Sequence, residues 1–221
     1  MAGIKGAVIP VTPLQQNCSV FWDDEAKQAT VIDPGGDAPR IVELLDTQGL
    51  TVERILLTHG HFDHAAGVHA LNALLAERQG KAVPVIGPHR ADGFLLDTLA
   101  ETGAAYGIPE AEAVSPDEWL DEGGTISIAG QSFDIYHCPG HSPGSLVFVN
   151  TEARFAIVGD VLFAGSIGRT DFPYGDHEAL INAVRTKLFP LGDDISFICG
   201  HGPGSTFGDE RRSNPFVGEG A

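Results

Sequence analysis

The chain has 221 residues, which suits one domain or one domain with a small appendage. Its formal net charge is −17, and its 13 Lys and Arg residues are too few for the basic surface that nucleic-acid-binding proteins need, so that class is excluded. No run approaches the roughly 18 apolar residues of a membrane-spanning helix, and the N-terminus lacks the features of a secretory signal. We therefore expect one cytoplasmic domain over residues 1–221 that has neither nucleic acid nor a membrane as a partner.

The first half of the chain alternates strand and helix patterns. Short apolar runs between turn residues predict strands at 6–12, 18–22, 29–33, 52–58 and 83–87. Apolar residues at helical spacing predict helices at 38–49, 68–80 and 89–103.

The second half is richer in strand patterns. Strands are predicted at 124–130, 131–138, 144–150, 154–160 and 194–200. Helices are predicted at 176–189, with Asp176 as the N-cap, and at 211–216. Two β-rich runs with helices in both halves predict an α+β fold, an αββα sandwich.

The three cysteines, Cys18, Cys138 and Cys199, are widely separated. That spacing matches neither a disulfide framework nor a paired-cysteine zinc site. We expect buried packing residues, because free cysteines are often buried.

The segment "THGHFDHAAG", residues 58–67, holds four side chains that can bind metals, His59, His61, Asp63 and His64. His59 and His61 are two residues apart, so they face the same way in an extended chain. Asp63 and His64 open the next helix, where the positive end of the helix dipole favours a carboxylate. Four ligands on one turn do not fit one tetrahedral ion, so we expect two ions about 3.5–4 Å apart.

Three more candidate ligands lie at the ends of predicted strands, His141, Asp160 and His201. Each follows an apolar run and a glycine, and binding residues gather at such strand ends. Nitrogen and oxygen donors suit Zn, Fe or Mn. The remaining histidines, His69, His89, His137 and His177, are expected to be structural.

Several ordered motifs resemble the metallo-β-lactamase superfamily. They are "LLTHGHFDH", "HCPGHSPGS", "GDVLFAGSIGRTDFPYGD" and "GHGPGST". Together with "PVTPLQQNCSV" and "DPGGD", they look like the glyoxalase II group, and most like its short bacterial type II hydroxyacylglutathione hydrolases. The resemblance covers nearly the whole chain and implies an αββα sandwich with metals at one edge.

The resemblance also implies which residues hold which ion. It assigns His59, His61 and His141 to one metal ion. It assigns Asp63, His64 and His201 to the second ion, with Asp160 bridging both.

The implied activity is hydrolysis of a glutathione thioester, S-D-lactoylglutathione, to D-lactate and glutathione. In this group a hydroxide between two divalent ions, with Zn favoured and Fe or Mn allowed, would attack the thioester carbonyl, and Asp63 and Asp160 would be the catalytic carboxylates. Long-form glyoxalase II enzymes add a C-terminal helical domain that helps to hold glutathione. Here only twenty residues follow His201, so we expect no separate C-terminal helical domain and expect most of that substrate platform to be missing.

The loop after Asp160 is expected to border the cleft. Arg169 is a candidate partner for a substrate carboxylate, or alternatively for Asp171 in a structural ion pair. Tyr174 is a candidate hydrogen-bond partner of the substrate, or alternatively a packed loop aromatic.

Three other functions are alternatives to the hydrolase. Persulfide dioxygenases are similar in fold and share "GRTDF", and they would hold one iron through His59, His141 and Asp160. A non-catalytic metal-binding partner module is disfavoured because the ligand set is complete. Zinc β-lactamases are disfavoured because they commonly carry Cys where this chain has Asp160 and are exported.

Overall fold

The computed structural model describes residues 4–108 and 111–221. One sheet comes from the first half of the chain, and its strands are β1 (Ile4–Val11), β2 (Gln16–Asp23), β3 (Gln28–Ile32), β4 (Thr51–Leu56) and β5 (Val85–Ile86). They lie in the order β1-β2-β3-β4-β5. The first three strands pair antiparallel, and β3, β4 and β5 pair parallel, so the later connections must cross the sheet through helices.

The second sheet comes from the second half. Its strands are β6 (Thr125–Ile128), β7 (Gln131–His137), β8 (Leu146–Asn150), β9 (Phe155–Ile157), β12 (Ser196–Ile198) and β13 (Ser205–Thr206), and a separate small hairpin is formed by β10 (Leu162–Phe163) and β11 (Ser166–Ile167). The sheet order is β13-β12-β9-β8-β7-β6. Only β9 and β12 pair parallel.

The helices of the described residues are α1 (Ala38–Gln48), α2 (Phe62–Ala65), α3 (Val68–Gln79), α4 (Gly93–Asp97), α5 (Leu99–Ala105), α6 (His177–Ala183) and α7 (Phe207–Ser213). A π-helical segment (Val184–Leu188) and a 3₁₀ turn (Phe189–Leu191) continue α6. The predicted N-cap is confirmed, because the Asp176 carboxylate accepts a hydrogen bond from the Ala179 amide at 2.9 Å. No helix in this part of the chain has the length and hydropathy that crossing a membrane requires.

Alternating side chains of the strands enter different apolar layers. Val20 packs in a cluster with residues of α1 and α3, whereas its neighbour Phe21 packs in a cluster between the two sheets. In the second sheet, Val147 packs in a cluster with residues of α6, and Phe148 joins the central cluster. Both sheets are therefore buried on two faces, and the predicted αββα sandwich is confirmed.

The predicted helix over 89–103 is broken in the structure. Residues Arg90–Asp92 form a 3₁₀ turn, and α4 and α5 are separated at Thr98. At the break the Thr98 amide donates to the Leu95 carbonyl at 3.2 Å, three residues back, as in a 3₁₀ turn.

The predicted strand over 83–87 is reduced to β5. Pro84 has no N–H for a sheet ladder, and the Val85 amide donates instead to the Asp117 carboxylate at 2.8 Å. The C-terminal helix begins earlier than predicted, because Thr206 caps it by accepting from the Asp209 amide at 3.0 Å. Cys18, Cys138 and Cys199 are buried and unpaired, as predicted.

Candidate metal centre

All seven predicted metal ligands meet at one edge of the sandwich. They are carried by α2 and by the segments that follow β4, β7, β9 and β12. The set is His59, His61, Asp63, His64, His141, Asp160 and His201.

The first group consists of His59, His61 and His141. His61 Nδ1 lies 3.1 Å from His59 Nε2 and 2.9 Å from His141 Nε2. Burial lowers the pKa of His59, and burial together with the nearby His141 lowers the pKa of His61 to about 3. His59 and His61 are therefore neutral near pH 7, which is the form of imidazole that binds a metal.

The second group consists of Asp63, His64 and His201, whose ligand atoms lie within 4.8 Å of one another. Asp63 Oδ2 is 3.1 Å from His201 Nε2. Burial alone raises the pKa of Asp63, but the hydrogen bond to His201 and the nearby His64 outweigh burial and leave that pKa lowered. The Asp63 carboxylate is therefore ionised.

Asp160 lies between the two groups. Its Oδ1 atom is 3.3 Å from His64 Nε2, and its Oδ2 atom is 3.5 Å from His141 Nε2 and 3.6 Å from His201 Nε2. Burial opposes ionisation of Asp160, but His64 and then His141 outweigh it and hold the pKa well below the usual range. One carboxylate thus faces both groups in its charged form.

Two buried atoms of the cluster fit a bound cation. His64 Nε2 and Asp160 Oδ1 lie 3.3 Å apart, but neither atom makes a hydrogen bond of good geometry within the described residues. A buried polar atom without a partner is costly, and a metal ion would satisfy both atoms. A Cβ atom on Gly200 would overlap Asp160 Oδ1 and lie 2.6 Å from His64 Cε1, so only glycine leaves room there. The donor set and its surroundings therefore fit divalent ions.

Asp33 contacts the ring nitrogen of His64 that faces away from Asp160, and the sequence patterns did not indicate it as a functional residue. Its Oδ2 atom lies 2.9 Å from His64 Nδ1 and accepts a hydrogen bond from the Thr58 hydroxyl at 2.6 Å. Its Oδ1 atom accepts from the Thr58 amide at 2.7 Å. Such partners orient metal-binding histidines. The available signal was its position in "DPGGD", where a carboxylate ends an apolar strand as Asp160 does.

Asp92 is a second missed residue and is fully buried. It accepts hydrogen bonds from the Gly60 amide at 2.8 Å, the Ser142 hydroxyl at 2.7 Å and the Gly144 amide. Gly60 separates two ligands of the first group, and Ser142 follows the third, His141. Asp92 thus ties together the two loops that carry this group. The sequence offered no signal, because Asp92 fell inside a predicted helix.

In the loop after Asp160, Arg169 makes the ion pair with Asp171 that is one of its two predicted roles. Arg169 Nε and Nη2 donate to the Asp171 carboxylate at 2.7 and 3.0 Å, and the guanidinium lies 4.4 Å from the centre of the Phe172 ring. The backbone carbonyl of Arg169 is 2.9 Å from His141 Nδ1. Tyr174 stacks on Phe172, and its hydroxyl is 2.9 Å from Nε2 of a first-group histidine, His61.

The other four histidines lie outside the cluster. His69 Nε2 is 2.9 Å from the Ala113 carbonyl, and His137 Nε2 is 2.7 Å from the Pro143 carbonyl. His89 stacks on His137, and His177 Nδ1 is 3.2 Å from the Thr170 hydroxyl. Their contacts agree with the structural role predicted for them.

A family model described as "Metallo-beta-lactamase superfamily" matches residues 11–201, which include the whole cluster. The chain belongs to the metallo-β-lactamase superfamily. This superfamily member is therefore an enzyme of the metallo-hydrolase type, and its His/Asp cluster implies bound divalent metal ions.

Relatives within the superfamily match this chain along nearly its full length. It is 47% identical to a Haemophilus influenzae protein named hydroxyacylglutathione hydrolase GloC, over 95% of this chain and 96% of the relative. A Bacillus subtilis protein named probable metallo-hydrolase YqgX is 35% identical over 97% of this chain and 98% of the relative.

Two solved structures are similar to this superfamily member at 36% identity each. BLEG-1 B3 metallo-beta-lactamase has a TM-score of 0.82 and covers 96% of this chain and 99% of its own. TTHA1623 in a di-iron-bound form has a TM-score of 0.81 and covers 95% of this chain and 99% of its own.

Proposed function

We propose that this protein is a binuclear thioester hydrolase that converts S-D-lactoylglutathione to D-lactate and glutathione. The observation that carries the proposal is the pair of ligand groups joined through the Asp160 carboxylate. The name of the Haemophilus influenzae relative supports the substrate class.

One ion would be held by His59, His61 and His141, and the other by Asp63, His64 and His201. Asp160 would contact both ions. Zn is favoured, and Fe is supported by the di-iron form of a protein 36% identical to this one. Divalent ions bound there would lower the pKa of water from about 15.7 towards about 7 and stabilise negative charge on the substrate carbonyl oxygen.

The protein residues would position the reacting water, and the Asp63 carboxylate would remain ionised. The ionised Asp63 carboxylate can accept a hydrogen bond from the attacking water and orient it. The water would release one proton to solvent, its oxygen would form a bond to the thioester carbonyl carbon, and the bond between carbon and sulfur would break. The thiolate is a weak base that takes its proton from solvent, so no dedicated general acid is required.

Persulfide oxidation at one iron is the alternative, with His59, His141 and Asp160 as ligands. These residues are adjacent, because Asp160 Oδ2 lies 3.5 Å from His141 Nε2 and the rings of His59 and His141 have their centres 5.0 Å apart. One ion at that place would leave the second group, Asp63, His64 and His201, without an ion although its ligand atoms lie within 4.8 Å of one another. The geometry therefore favours the binuclear hydrolase.

The test is to load the purified protein with Zn or Fe, count the bound ions, and follow loss of thioester absorbance with S-D-lactoylglutathione. We expect about two ions per chain and hydrolysis that a chelator abolishes. A His69→Gln variant is the matched control, because it removes an exposed histidine outside the cluster and should keep both properties.

Parallel assays separate the alternatives. Oxygen consumption with a glutathione persulfide, and about one iron per chain, would support the dioxygenase instead. Cleavage of a β-lactam without thioester hydrolysis would favour a lactamase. A fully loaded protein that turns over none of these substrates would favour a non-catalytic module.

A further inference from the structure

A cavity of about 620 Å³ lies in front of the metal cluster. This volume is typical of sites for small organic molecules. Apart from the cluster itself, its wall is made mainly of aliphatic and aromatic side chains, including Leu14, Leu95, Tyr106, Phe163 and Phe172. A substrate bound at the cluster must therefore place its remaining atoms against an apolar wall.

Exposed apolar side chains also gather at the mouth of this cavity. Three of the five large apolar residues exposed among the described residues are found there, namely Leu14, Phe94 and Tyr106, which are 46%, 45% and 60% exposed. Leu14 and Tyr106 line the cavity directly, and Phe94 packs edge-on against Tyr174, another lining residue. Single exposed apolar residues need no explanation, but a group around one cleft indicates a binding surface.

Positively charged side chains are scarce at the same place. All 13 Lys and Arg residues lie in the described part of the chain, and Arg169 alone lines the cavity. Its guanidinium is already paired with the Asp171 carboxylate through two hydrogen bonds. The lining histidines, His61, His141 and His201, belong to the metal cluster.

The glutathione arm of a thioester carries two carboxylates and one ammonium group. In this cavity those carboxylates find no free cationic side chain, and the net charge of −17 opposes the approach of an anion. Methylene and aromatic groups, in contrast, gain free energy on leaving water for such a wall.

We propose that the cavity selects its thioester substrates by apolar contact, so that its substrate class extends to uncharged thioesters with apolar acyl arms. This inference rests on the proposed thioester hydrolase activity. The reaction is unchanged: water supplies the new acyl oxygen, the bond between carbon and sulfur breaks, and the thiolate that leaves takes a proton to become the thiol.

The experiment compares metal-loaded protein on matched substrates. S-D-lactoylglutathione and S-D-lactoyl-N-acetylcysteamine share the acyl group and differ in the charge of the thiol arm. A second series, the S-acetyl, S-butanoyl and S-hexanoyl thioesters of N-acetylcysteamine, varies only the apolar acyl arm. We expect the neutral lactoyl thioester to match or exceed the glutathione thioester in kcat/KM, and kcat/KM to rise about threefold per added methylene.

A pair of variants ties the effect to the cavity wall. Leu14→Ser, at the mouth, should raise KM for S-hexanoyl-N-acetylcysteamine about three- to tenfold and affect the S-acetyl compound less. Phe216→Ser is the matched control, because Phe216 is 43% exposed but does not line the cavity, and its KM values should equal those of the unmodified protein.

Three results would overturn the inference. They are a preference of more than about tenfold for the glutathione thioester, a flat acyl-chain series, and equal effects of the two variants. Each of these leaves the proposed hydrolase standing, since thioesters are still cleaved. Failure to hydrolyse every thioester would instead overturn the proposed function.

Discussion

The two sheets supply the candidate metal centre in different ways. The first sheet contributes four ligands within six consecutive residues, His59 to His64, at the end of β4 and in α2. The second sheet contributes one ligand each after β7, β9 and β12, and these are separated by tens of residues in the chain. A compact motif is visible in the sequence by itself, whereas the scattered ligands become a site only because β7, β9 and β12 run in the same direction and end at one edge.

The largest effect is expected at Asp160, the residue that faces both ligand groups. Asp160→Ala removes the carboxylate that faces both ligand groups, so we expect kcat/KM for S-D-lactoylglutathione to fall by about a thousandfold or more. Metal content should fall as well, measured on the same preparation. Asp97→Ala, in the exposed part of α4, is the matched control. Retention of both activity and metal by Asp160→Ala would contradict the assignment.

Single-ligand variants sharpen the comparison between the groups. His141→Ala should empty the first group and His201→Ala the second, so each protein should retain about one ion and lose about a hundredfold in kcat/KM. Metal analysis and competition with a chelator measure both quantities. If either variant kept both ions at unchanged affinity, the division into two groups would be wrong.

Asp92 tests the support behind the first group. Asp92→Ala leaves the Gly60 and Gly144 amides and the Ser142 hydroxyl without their acceptor, so we expect a loss of about 2–4 kcal/mol in the free energy of unfolding. Metal affinity should fall about tenfold or more, because the hydrogen bonds that link the two ligand-bearing loops are lost.

Urea unfolding and metal titration measure the two effects of Asp92 separately. Asp92→Asn keeps one oxygen acceptor and should recover part of both losses. A variant that lost stability at unchanged metal affinity would show that Asp92 acts on folding alone.

The smallest effect is expected at a glycine beside the second group. In Gly200→Ala the new Cβ atom meets the side chains of Asp160 and His64, and the strain should cost about 1–3 kcal/mol of stability. Gly220→Ala, where nothing lies within 4 Å, should change the unfolding midpoint little. Equal midpoints for the two variants would mean that the cluster relaxes around the added methyl group.

Much of the fold could be predicted because strand and helix periods are local properties. The patterns around Val20 and Phe21, and around Val147 and Phe148, place apolar groups on both faces of a strand, and both faces are buried. The break of the predicted helix at Thr98 could not be predicted from apolar spacing, because it is a local change of backbone hydrogen bonding that leaves the apolar pattern unaltered.

The sequence by itself determined the layered fold and the identity of the seven candidate ligands, since these depend on periodicity and on chemically distinctive side chains at strand ends. Only the tertiary structure decided which ligand atoms approach one another and that Asp160 faces both groups. It also decided that Asp33 hydrogen-bonds to His64 and that Asp92 accepts a hydrogen bond from the ligand-bearing loop at Gly60. It also decided that Arg169 pairs with Asp171 at the edge of an apolar cavity. The physical reason is that hydrogen bonds and charge pairs act over a few ångströms, and folding alone brings residues distant in the chain within that range.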